Sequence, residues 1–111
     1  MTRVALLSLT MAAVLAGCGP STPPVLFDGK IYPARVDAPR ADRRDMTITL
    51  RDADQGLAGA LQAGRYAATV HCVQFFGNSA VEWTVGPQSP AEDLRLTEDG
   101  ALILRGRCIG R

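Results

Sequence analysis

Hydrophobic and polar positions alternate along four stretches of the chain. From Met46 to Arg51, Met46, Ile48 and Leu50 fall on one side and Thr47, Thr49 and Arg51 on the other, the period of a half-buried strand. Arg65 to Phe76 is the longest run of β-favouring residues. Tyr66, Ala68, Val70 and Cys72 would share one face of a strand there, and Ala67, Thr69, His71 and Val73 the other. Ala80 to Val85 alternates again, with Val81, Trp83 and Val85 opposed to Glu82 and Thr84. Ala101 to Cys108 predicts a closing strand with Leu102, Leu104 and Cys108 on a common face, after a turn at Asp99-Gly100. Val25–Phe27 and Ile31-Tyr32 flank Asp28-Gly29, a pair that supplies the positive φ of a tight hairpin. Pro33 ends that second strand or keeps it at an edge, and Leu94–Leu96 is a further short candidate.

Asp52 to Gly64 has a different rhythm. Asp54 can cap, and Leu57, Ala60 and Leu61 lie on one helical stripe. Gly56 and Gly59 each cost about 1 kcal/mol against Ala in a helix interior. The spacing therefore predicts a helix of about two turns, ended by Gly64. The sum is a β-rich α+β fold: a small antiparallel sheet or open barrel of about five to seven short strands with one short helix.

The N-terminal pattern is neither helical nor strand-like. One positive charge at Arg3 precedes an apolar run, Val4 to Leu15, broken only by Ser8 and Thr10. This is the length of a signal-peptide apolar region. It is short of the roughly 20 residues needed to cross ~30 Å of hydrocarbon. Leu15-Ala16-Gly17-Cys18 follows directly and resembles the lipobox of bacterial lipoproteins. That resemblance implies cleavage before Cys18 and a diacylglyceryl thioether on its sulfur. Lipid chains bury about 0.8 kcal/mol per CH₂, and two or three together make a stable anchor. Gly19, standing where Asp favours inner-membrane retention in the family, implies the outer membrane over the inner. The competing reading is ordinary cleavage after Ala16, since Val14-x-Ala16 also suits a signal peptidase.

The expected organisation is then a signal peptide over 1–17, a lipidated Cys and flexible tether over 18–24, and one periplasmic domain over 25–111. The tether, Gly19 to Pro24, is dense in Pro and small residues. Three cysteines are an odd number for an exported chain. With Cys18 taken by lipid, Cys72 and Cys108 are left as a disulfide pair, stable in an oxidising compartment. Two buried free thiols are the alternative. In a domain this small a staple matters, because its core is modest.

The net charge is +1, and removing Arg3 with the leader leaves basic and acidic side chains equal in number. Nothing here condenses on phosphate, so nucleic acid is not an expected partner. Arg40, Arg43 and Arg44 are interspersed with Asp37, Asp42 and Asp45, which predicts a solvated mixed-charge loop.

Candidate chemistry is sparse. His71 is the only histidine, and beside a disulfide cysteine it is expected to be structural. Ser79 lies in GNSAV, which lacks the second glycine of a nucleophile elbow. Asp52-x-Asp54-x-Gly56 approximates a calcium loop, but its glycine is one place early and Ala63 stands where a glutamate ligand belongs. Glu92-Asp93 and Glu98-Asp99 are neighbours beside turns. No metal site, cofactor or enzymatic activity is expected. The one candidate ligand face combines Arg65, Arg105 and Arg107, able to recognise a carboxylate or phosphate, with Trp83, whose alternative role is to fill the core.

The stretches FDG at 27–29, GRY at 64–66, FGNS at 76–79, EWTVGP at 82–87 and GRC at 106–108 are similar to short alphaproteobacterial lipoproteins of unknown function. That resemblance brings no activity with it. The functional expectation is a membrane-anchored, periplasm-facing accessory module that binds an envelope protein or glycan without catalysis. Alternatives are an inhibitor of a periplasmic or cell-wall hydrolase and, further off, a small hydrolase.

Overall fold

The structure, a computed structural model, describes residues 25–110. The lipobox, Cys18 and the tether lie outside them. Four strands, β1 (Ala34–Asp37), β2 (Asp45–Leu50), β3 (Val81–Val85) and β4 (Leu102–Cys108), form one antiparallel sheet in the order β1-β2-β4-β3. Among the described residues a single α-helix, α1 (Leu57–Phe76), covers one face. The fold is α+β and the sheet is open, with β1 and β3 at its edges.

The period-two stretches at 46–51 and 101–108 are strands. Met46, Ile48 and Leu50 are buried, as are Leu102, Leu104 and Cys108, and Ile48 pairs with Leu104 and Leu50 with Leu102. The stretch at 80–85 forms β3.

The run from 65 to 76 is not a strand. The helix begins at Leu57, continues through Gly64 and ends only at Gly77. Burial shows why a helix wins. A strand would bury Tyr66, Ala68, Val70 and Cys72 together, whereas Ala68 and Cys72 are inside and Tyr66 and Val70 outside. Ala60, Gly64, Ala68 and Cys72 recur every fourth residue and are all buried, a ridge of small side chains along the helix. Gly64 is an approach point, not a terminator. A Cβ there would strike Leu104 Cδ1 and lie 3.0 Å from Leu50 Cδ1. Gly59 plays the same part against the Tyr32 ring. The helix stops at Gly77, which takes φ 78° and donates its N–H to Val73 O at 2.9 Å.

Four strands are fewer than the five to seven expected. Residues 25–32 keep their turn, with Asp28 at φ 55° and Gly29 at φ 77°, but pair only through the bridge Phe27–Lys30. Leu96 makes an isolated bridge to Leu102. In the other direction, β1 forms where only Val36 among its four residues carries a strand signal, because β2 supplies a complete partner in register.

Cys72 and Cys108 are bonded, with Cα atoms 5.6 Å apart. The expected tie between two strands is a tie between the last full turn of α1 and the end of β4. The loop between β1 and β2 is also more ordered than a solvated mixed-charge loop. His71 Nε2 donates to Arg43 O at 2.7 Å, Arg43 Nη1 to Ala38 O at 2.7 Å, and Arg44 Nη1 to Cys108 O at 3.0 Å. The Arg43 and Arg44 guanidinium groups lie 5.4 and 4.2 Å from the ring centres of Phe75 and Phe76.

Candidate functional site

Two of the concave surfaces among the described residues concern the candidate site, one on the helix side and one on the uncovered face of the sheet. On the helix side, a cleft of about 410 Å³ runs between α1 and the edge strand β1. Ala34 and Val36 form its strand wall, and Ala63, Tyr66, Ala67 and Val70 its helix wall. Val25, Phe27, Ile31 and Tyr32 close one end, where the Phe27 and Tyr66 rings meet at 5.6 Å. Tyr32 anchors that end by donating its hydroxyl to Gly56 O at 3.0 Å. His71 and Gln74 are the polar residues of the lining beside the tyrosine hydroxyls.

His71 is committed to structure here. A carbonyl oxygen only accepts, so Nε2 carries the hydrogen and holds the loop at Arg43. Its ring also packs 4.7 Å from that of Phe75. This is the structural role the sequence predicts for it.

The second surface is the uncovered face of the sheet, a shallow depression of about 600 Å³. Burial along β4 alternates, so Leu102, Leu104 and Cys108 point to the helix while Ile103, Arg105 and Arg107 point away. Register places Asp45 and Glu82 on either side of Arg107, and Thr47 beside Arg105. Arg107 donates to Asp42 at 2.9 Å and to Asp45 at 2.7 Å. The first of these hydrogen bonds is the main reason Asp42 ionises below the usual aspartate range, with desolvation opposing and the Arg44 amide assisting. The two bonds together push the Arg107 pKa up. Asp99, at the turn before β4, is also lowered, chiefly by the Thr97 hydroxyl. Among the described residues, Arg105 and Glu82 belong to no ion pair.

Of the four residues of the expected ligand face, Trp83, Arg105 and Arg107 line this depression and Arg65 does not. Arg105 and Arg107 share the open face. Arg65 is carried away on α1, the consequence of residues 65–76 being helical. Trp83 pairs with Gly106 and is half-buried against the core, while still contributing to the lining of the depression. Among the described residues, no group of three His, Cys, Asp or Glu side chains is placed to hold a metal ion, and no helix is long and apolar enough to cross a membrane.

The apolar cleft was hidden in the sequence by the strand reading. At helical period, Tyr66, Val70 and Val73 are neighbours on one exposed stripe, and all three are about half exposed. That stripe was the available signal. Comparison with protein-family models, curated proteins and solved structures matches none of them to this chain.

Proposed function

We propose that this protein is a lipid-anchored bacterial lipoprotein whose small domain faces the periplasm and acts as a non-catalytic accessory or partner-binding module of the envelope. In this reading residues 1–17 are removed, Cys18 carries the lipid, and residues 18–24 tether the domain. Gly19 favours the outer membrane over the inner. The partner is an envelope protein or glycan.

The observation that supports binding is the open sheet face. Arg107 is already satisfied by Asp42 and Asp45, so it shapes the surface rather than seeking a ligand. Arg105 and Glu82 stand beside it with unspent charge, and Thr47 and Thr84 add hydroxyl groups. Such a face suits a polar partner bearing both a carboxylate or phosphate and hydrogen-bond donors. The one hydrogen bond recorded for His71 goes to the Arg43 carbonyl and holds the β1–β2 loop against α1.

The test is photo-crosslinking from the Arg105 position in intact cells, followed by purification from membranes and from cell-wall glycan. The expected result is one stoichiometric adduct that Arg105→Glu, in a chain labelled at Thr47 instead, no longer gives. Repeated recovery without a stoichiometric partner, or capture indifferent to the charge reversal, counts against the reading.

A further inference from the structure

We infer that the cleft between α1 and β1 is a membrane-docking face, its rim resting on the same bilayer that holds the Cys18 lipid. The inference rests on the anchoring reading above and adds an orientation to it.

Position is the first argument. Val25, the first described residue, itself lines the cleft. Six residues, 19–24, separate it from the sulfur of Cys18, and three of them are proline. At about 3.1 Å per residue, the mouth of the cleft stays within ~20 Å of the anchor. Among the described residues, no other part of the domain is held so near the bilayer along the chain.

Composition is the second. Val25, Ile31, Tyr66 and Val70 are between 45% and 49% exposed although apolar or aromatic, and no charged side chain lines the cleft. A clustered apolar rim of this kind marks a surface that meets something other than water. Tyr66 places an amphipathic ring there, suited to the headgroup boundary. Lys30 and Arg65, both exposed, adjoin the lining in sequence and can reach outward to lipid phosphates.

Linkage is the third. A short tether turns docking into an intramolecular event, so a patch too small to bind a membrane from solution suffices once the lipid is inserted. Docked this way, the domain turns the opposite sheet face, with Arg105 and Glu82, towards the periplasm.

The experiment uses the full chain produced in a lipidating host and purified with its anchor. It is reconstituted in nanodiscs of phosphatidylethanolamine with a minority of phosphatidylglycerol, with or without lipid spin-labelled near the glycerol. An environment-sensitive fluorophore replaces Val70 in one sample and Arg105 in another. The expected result is a blue shift and loss of most emission to spin-labelled lipid at position 70, with emission kept at 105. Adding Tyr66→Ser to the first sample should restore emission. Equal quenching at both positions, or none at 70, overturns the proposal. So does capture of an envelope protein by a photo-crosslinker at position 70 in place of lipid quenching. The intact mass of the same sample separates the two readings. Acylated Cys18 without quenching leaves the anchor standing and removes the docking face, whereas unmodified Cys18 removes both.

Discussion

Gly64 sits where helix and sheet come closest, with Leu104 and Leu50 directly beyond its missing side chain. Ala is the better helix former by about 1 kcal/mol, so an isolated helix would gain from Gly64→Ala. In the folded protein the added methyl meets Leu104, and overpacking of this kind costs about 1–3 kcal/mol. Urea unfolding of Gly64→Ala should therefore show a net loss of stability; a gain would mean that the close approach is absent. Asp42 offers a second test. Its carboxyl ionises more readily in the fold than in the free chain because Arg107 holds the charged form. The stabilisation is thus complete at neutral pH and is lost as pH falls through and below the ordinary aspartate range. Asp99, lowered in the same direction by Thr97, adds to the same acid limb. Acid unfolding of Asp42→Asn should be less steep over that window than that of the parent, and an identical profile would show that the Arg107 contact is not made in solution.

At the scale of elements, the disulfide between α1 and β4 joins residues 36 positions apart in the chain. The chain-entropy model assigns the loop so closed about 3–4 kcal/mol. A Cys72→Ala, Cys108→Ala double variant should lose stability of that order in equilibrium denaturation, and so should the parent after reduction. What the sequence disclosed at this scale depended on how each element is buried. β2 and β4 have one face covered and one uncovered, so Met46–Leu50 and Leu102–Cys108 display their period openly. The helix did not. Its β-branched and aromatic residues mimic alternation, and the ridge that defines it is made of Ala, Gly and Cys, side chains too small to register as a hydrophobic stripe. β1 was unreadable for the opposite reason, since its strand state comes from pairing with β2 and not from its own residues. The candidate site followed these errors. The alternation of β4 puts Arg105 and Arg107 on one face, with Trp83 in the same depression, whereas Arg65 goes with the helical segment that carries it, and a strand reading of that segment hides the cleft along Tyr66 and Val70.

For the whole molecule, the central prediction is chemical. The mature N-terminus is expected at Cys18, with its sulfur in a thioether to glyceride and the upstream residues gone. Intact-mass analysis of protein purified from membranes checks this, and a free N-terminus at Gly17 with an unmodified thiol one residue on would end the lipoprotein reading. One helix and four strands bury a core whose largest fully enclosed side chains are Ile48, Leu50, Leu102 and Leu104 together with the bonded cysteines. Such a core is small, and much of its rigidity comes from the covalent tie and from the loop that His71 and Arg44 hold down.

The bridge between Cys72 and Cys108 also sets an order of events. Thiols stay reduced where proteins are made in most cells, so a newly synthesised chain is weaker by the whole contribution of that bond. Under the export proposed above, such a chain would stay pliable enough to pass a narrow translocation pore, and oxidation on the far side would then lock the helix to the sheet and hinder its return.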